Sequence, residues 1–123
     1  MLKEVRIGGQ LVRLFANAGT PLRYRALFKK DLIQMVSDIL NDKATNADLI
    51  NMAPELAFVM NAQADRTKEE LSKLTMQDYF DWVDRFESPM GFVNAAAEIL
   101  SVYIDNTEST AESKKEDDRL KES

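Results

Sequence analysis

The 123-residue sequence predicts a mainly α fold that begins with a small β-hairpin (α+β), a compact helical domain followed by a disordered C-terminal tail. Three observations carry this expectation. Gly8-Gly9 separates two short runs of alternating apolar and charged residues. Apolar residues then recur at helical spacing from Leu22 to Ile104. From Thr107 onward aromatic residues vanish and Ser, Thr, Glu, Lys and Asp dominate.

The hairpin is expected over residues 3–16. Val5 and Ile7 alternate with charged neighbours, as do Val12 and Leu14 with Arg13. A Gly-Gly pair suits a tight turn that requires positive φ. Thr20 is expected to cap the first helix through its hydroxyl, with Pro21 in the first helical position, where no N–H is needed. Leu22, Leu27, Phe28, Leu32, Met35, Val36, Ile39 and Leu40 follow at helical spacing. Lys29-Lys30-Asp31 interrupts that rhythm, and Asp31 suits the cap of a second helix. Two short helices with a bend are therefore expected.

Residues 42–47 read as a loop. A broad apolar stripe then runs from Leu49 to Ala64 and covers more than one side around Leu56 to Met60, which marks the most buried helix. Pro54 lacks a backbone donor and clashes with the preceding turn. The sequence therefore predicts a short helix over 46–52 and a second one starting near Pro54. The polar stretch 64–70 reads as loop with room for one helical turn. Thr75 and Asp78 form a capping-box pattern. The next helix is expected to place Tyr79, Trp82, Val83 and Phe86 on one face and Asp78, Asp81 and Asp84 on another. Ser88-Pro89 opens a last amphipathic helix through Phe92, Val93, Ala96, Ile99, Leu100 and Tyr103, ending near Asp105. Helices are thus expected over 21–105 within one domain, residues 1–106.

Composition narrows the function. The chain has no Cys and no His, which excludes disulfides, thiolate chemistry, a Ser-His-Asp triad and a conventional zinc site. An enzyme is not expected, and neither a cofactor nor a metal is. Asp78, Asp81 and Asp84 share a helix face but read as a solvated one. No apolar run is long enough to cross a membrane, and the start, Met1-Leu2-Lys3-Glu4, does not resemble a secretory signal. Net charge is −5, so the surface as a whole does not attract a polyanion. Residues 107–123 contribute six acidic and four basic side chains, with Leu120 as their only large apolar residue. Such a segment cannot offset its chain entropy by burial, hence the expectation of disorder.

The order of these pieces resembles the small tail assembly chaperones of long-tailed (siphovirus-like) bacteriophages and prophages of Gram-positive bacteria. The resemblance covers most of residues 3–106. It rests on Ile7-Gly8-Gly9, on Thr20-Pro21-Leu22-Arg23-Tyr24-Arg25-Ala26-Leu27-Phe28, and on Asp31-Leu32. It continues through Leu56-Ala57-Phe58-Val59-Met60-Asn61-Ala62-Gln63-Ala64-Asp65 and Phe80-Asp81-Trp82-Val83-Asp84-Arg85-Phe86. The order and spacing are more specific than any one piece. The family often has a small residue where this chain has Lys29, which leaves open whether the first helix breaks there.

The resemblance implies a phage tail assembly chaperone that binds the tape measure protein and recruits tail tube subunits during tail morphogenesis. It implies a protein made in the cytoplasm of the bacterial host and absent from the mature virion, with self-association into a homo-oligomer as a plausible means. Neither nucleic acid nor membrane is an expected partner. The candidate partner-binding residues are Arg23, Arg25, Tyr79, Phe80, Trp82 and Phe86. Arginines in a first helical turn oppose the helix dipole, which hints at a partner carboxylate. The aromatic group reads either as core or as anchors for another chain. One helix face cannot hide all four rings, so at least one belongs on the rim. The alternative reading is a small helical nucleic-acid-binding regulatory module that uses Arg23, Arg25, Lys29 and Lys30 on phosphates.

Truncation after Asn106 leaves thermal unfolding nearly unchanged, because the removed segment holds almost no apolar area. A drop of several degrees in a calorimetric scan would contradict it.

Overall fold

A computed structural model describes residues 2–105. The expected disordered tail, residues 107–123, lies outside the described residues. The architecture is mainly helical with an antiparallel N-terminal hairpin: β1 (Leu2–Ile7), β2 (Gln10–Phe15), α1 (Thr20–Phe28), α2 (Leu32–Leu40), α3 (Asn46–Asp65), α4 (Lys68–Leu71), α5 (Met76–Val83) and α6 (residues 90–105). One buried cluster runs from Val5 to Tyr103.

The hairpin forms as its sequence dictates. Gly8 and Gly9 take φ of 56° and 85°, the two positive values that a two-residue turn matching strand twist requires. The register pairs Ile7 with Gln10, Val5 with Val12 and Lys3 with Leu14. Val5, Ile7, Val12 and Leu14 are buried on one face. Gly91 in the first turn of α6 lies against this turn. A Cβ on Gly91 would come within 2.8 Å of the Gly8 backbone, so only glycine allows the approach.

Thr20 does not cap α1. Gly19 flanks the helix and accepts the first helical bond from the Arg23 N–H. Thr20 is fully buried instead. Its Oγ1 accepts from the Asn17 N–H at 3.0 Å and from the Gln63 amide at 2.8 Å, so the hydroxyl ties the loop after β2 to α3. α1 breaks at Lys29, which adopts a left-handed φ of 60°. Asp31 then caps α2 by accepting from the Gln34 N–H at 3.1 Å. The bend between two short helices is thus present.

α3 is a single helix of 20 residues, not two. Thr45 and Asp48 form a capping box at its start, and Pro54 sits inside it. An interior proline costs about 3 kcal/mol. The offset comes from burial of Met52, Ala53, Leu56, Ala57, Phe58, Val59, Met60 and Ala62, where each large apolar side chain contributes roughly 1.5–3 kcal/mol. Pro54 and Ile50, whose carbonyl Pro54 leaves without its helical donor, both line an open groove.

Thr67 with Glu70 caps the single-turn α4, and Thr75 with Asp78 caps α5. α5 stops at Val83, three residues before Phe86. Its last turn tightens through bonds from Arg85 to Trp82 and from Phe86 to Val83. Ser88 precedes Pro89 and is steered away from helical geometry. Ser88 Oγ then accepts from the Met90 N–H at 3.1 Å as α6 begins. Phe92, Ala95, Ala96, Ile99, Leu100, Val102 and Tyr103 bury the inner face of α6.

Gly91→Ala is expected to destabilise the fold by about 1–3 kcal/mol through overpacking of backbone on backbone. Thermal unfolding should fall by roughly 5–15 °C. A variant as stable as the parent would show that the turn does not dock on α6.

Candidate functional site

Two distinct ends of α3 emerge from the side-chain contacts. The C-terminal end is a polar clamp. Gln63 donates to the Phe15 carbonyl at 2.7 Å and to Thr20 Oγ1 at 2.8 Å, and its Oε1 accepts from Arg23 Nη1 at 3.0 Å. Asn61 donates to the Arg13 carbonyl at 2.9 Å. These amides close the outer edge of β2 against α3. Arg23 therefore joins α1 to α3. Arg25 is exposed on the same helix.

The other cations of α1 and its linker are also engaged. Lys30 pairs with Glu55 at 3.1 Å, and Lys29 donates to the Ala26 carbonyl at 2.8 Å. Of the four basic residues read as a phosphate-binding set, Arg25 alone makes no such contact among the described residues. Glu55 also accepts from the buried Tyr24 hydroxyl at 2.6 Å.

The aromatic side chains form a continuous chain of rings through the core. Phe28 meets Tyr79 edge-on at 4.9 Å, Tyr79 meets Phe58 at 5.5 Å, and Phe58 meets Trp82 at 5.6 Å. Trp82 meets Phe86 at 5.0 Å, and Phe86 meets Phe92 at 4.8 Å. Such contacts add to plain area burial. Trp82 is only 5% exposed and belongs to the core. Tyr79 and Phe86 are half-buried. Phe80 is the ring on the rim, 51% exposed.

The N-terminal half of α3 opens onto a groove of about 550 Å³ between α3, α5 and the start of α6. Ile50, Pro54, Tyr79, Val83, Phe86 and Phe92 supply apolar walls, and Asp84 and Glu87 stand among the polar lining residues. Met76 and Phe80, both exposed, continue the apolar surface along α5. Met76, Phe80 and Val83 recur at helical i, i+4 and i+7 and so share one face. Tyr79, Phe80, Trp82 and Phe86 thus gather at this groove or directly behind it. Arg23 does not. It bonds to α3 at Gln63, nine residues beyond Pro54, which is ~13 Å along the helix.

Sequence reasoning missed Gln63, Asn61 and the groove-lining Ile50 and Pro54. An amide on a long apolar helix, two residues from its end, was the available signal for Gln63. Pro54 was legible only as a helix breaker.

Asp78 accepts from the Thr75 N–H and Asp81 from Gln77, so both act locally on α5. Among the described residues no group of three His, Cys, Asp or Glu side chains is arranged to hold a metal ion. No helix among them is long and apolar enough to cross a membrane. No family model, no curated protein and no solved structure matches the chain.

The three tyrosines, one of them the groove wall Tyr79, carry a pH signature. Burial, with the Glu55 carboxylate nearby, pushes the Tyr79 phenol up to about 12. Burial and the bond to Glu55 push Tyr24 well above the usual phenol range. Burial, with Asp31 second, raises Tyr103. The folded state therefore favours the neutral phenols. Tyr79's contribution to stability is complete below pH 10 and is lost as pH rises through about 12, and those of Tyr24 and Tyr103 likewise fall only above the ordinary phenol range. Urea unfolding across that window is expected to show falling stability. Tyr79→Phe should make the decline shallower and leave neutral-pH stability nearly unchanged. An equally steep decline in the variant would contradict this assignment.

Proposed function

We propose that the chain is a tail assembly chaperone of a long-tailed bacteriophage or prophage. In this reading it is made in the host cytoplasm, binds the tape measure protein, recruits tail tube subunits and is left out of the finished virion. It is a binding protein with no catalytic step. The observation that carries the reading is the apolar groove between α3, α5 and α6, continued by exposed Phe80 and Met76. The resemblance over residues 3–106 supplies the identity of the client.

The chemistry of the groove suits such a client. A tape measure protein is a long helical chain that exposes apolar stripes until tube subunits enclose it. An amphipathic helix lays anchors spaced at i, i+3 or i+4 and i+7 into a groove of this kind. The groove's volume lies within the range of roughly 300–1,000 Å³ that takes a ligand or a few side chains. Asp84 and Glu87 favour client segments with Lys or Arg beside the apolar anchors, which speeds encounter and sets orientation. Burying half-exposed Phe80 against the client contributes roughly 1–2 kcal/mol. That is enough for capture and small enough for later displacement by tube subunits. Exposed Met76 adds an adaptable side chain that fits varied client sequences.

Phe80→Ala is expected to weaken capture of the tape measure protein about tenfold in a co-expression pull-down, with thermal unfolding nearly unchanged because the ring is exposed. Arg25→Ala should have a smaller effect, since Arg25 is not among the residues lining the groove. Undiminished capture by folded Phe80→Ala would rule out this face.

A further inference from the structure

The two edges of the hairpin are treated differently. With Ile7 and Gln10 flanking a two-residue turn, the backbone groups of Lys3, Val5 and Ile7 face β2, and those of Gln10, Val12 and Leu14 face β1. The backbone groups of Leu11, Arg13 and Phe15 therefore point outward from β2. This edge is sealed, since the Arg13 and Phe15 carbonyls accept from Asn61 and Gln63. The backbone groups of Leu2, Glu4 and Arg6 point outward from β1. Among the described residues none of them has a bonding partner, and all three residues are exposed. A row of unpaired strand groups is a template for another strand.

The side chains on this edge select the partner. Glu4 and Arg6 stand exposed on the outer face of β1, two residues apart, and Arg6 Nη1 donates to the Gly9 carbonyl at 3.1 Å, an exposed bond that leaves its other guanidinium nitrogens for a carboxylate. Antiparallel pairing with a second β1 around a two-fold axis at Val5 sets Glu4 opposite Arg6 of the other copy, and Arg6 opposite its Glu4. Two opposite-charge pairs result, each within cross-strand contact distance. Val5 meets Val5 of the other copy on the inner face. Moving the axis to Glu4 would bring the two Glu4 carboxylates together, which like-charge repulsion disfavours. The pattern is therefore self-complementary in one register only, as an isologous two-fold contact demands. The product is a four-stranded sheet in the order β2-β1-β1-β2, and an isolated two-stranded ribbon gains from such extension.

We propose that β1 pairs antiparallel with β1 of a second copy of this chain, with reciprocal Glu4–Arg6 ion pairs fixing the register. This surface is separate from the groove, so self-pairing and client binding stand or fall independently.

The full chain is studied by sedimentation equilibrium and by amide hydrogen exchange as a function of concentration. A monomer–dimer equilibrium is expected, with the Glu4 and Arg6 amides protected only in the dimer. Glu4→Arg and Arg6→Glu should each weaken the dimer at least about tenfold, and the double charge swap should restore it. Both side chains are exposed, so circular dichroism of all three variants should match the parent. A chain that stays monomeric at about 1 mM would overturn the proposal. So would a dimer indifferent to single charge reversals, or one whose Glu4 and Arg6 amides exchange freely. Protection of these amides that arises only when a client segment is added would assign the edge to the client and also overturn self-pairing.

Discussion

The structure depends on burying the middle of α3 on every side. From Leu56 to Met60 every residue of this helix is buried, and Asn61, just past that run, reaches out to β2. A helix that is apolar all round cannot face water and must be wrapped. The hairpin, α1 and α5 are each placed by contacts to it, and α2 packs in turn on α1. The hairpin docks through Asn61 and Gln63, α1 through Arg23 and Tyr24, and α5 through the rings of Tyr79 and Trp82 on Phe58. This constraint also explains why Pro54 is tolerated. Breaking the helix there would separate Met52 and Ala53 from the buried run that follows.

The two ends of α3 then take different roles. Polar bonds close one end: an amide at Gln63 is satisfied by a carbonyl, a hydroxyl and a guanidinium. Leaving any of these unpaired in a half-buried site costs about 1–3 kcal/mol, so this end is rigid. The proline-bearing end is open. Its walls are aromatic and aliphatic, its polar lining includes two carboxylates, and its lip carries Phe80 and Met76. A fixed scaffold with an open apolar groove is what the proposed holding of a client without enclosing it requires.

Much of the fold was legible because local chemistry agreed with the final structure. Gly8-Gly9 admits few turns, Asp31 and Thr75 cap the helices they precede, and the periodicity of α6 matches its buried face. The failures have physical causes. Thr20 followed by Pro21 looks like a helix cap, but the hydroxyl finds a donor in Gln63, 43 residues away, which no local pattern reveals. Pro54 reads as a breaker because propensity counts the lost bond and not the tertiary burial that offsets it. The spacing of Phe86 from Tyr79 and Val83 is helical, which in sequence puts it on α5. The chain instead leaves the helix ahead of Pro89 and still returns the ring to Trp82. Of the candidate site, the excess of aromatic surface was visible in sequence. Which ring stays outside depends on how α5 rolls against Phe58, and that is a property of the packed structure.

The most direct test of the account is a titration of the isotopically labelled full chain with a helical fragment of a tape measure protein, followed by backbone amide shifts. A contiguous set of perturbed amides is expected over residues 50–54 and 76–93, around the groove and its lip, with Gln63 and the β2 edge unmoved. Perturbations centred on Arg23, Gln63 and β2, or no saturable change at all, would contradict it.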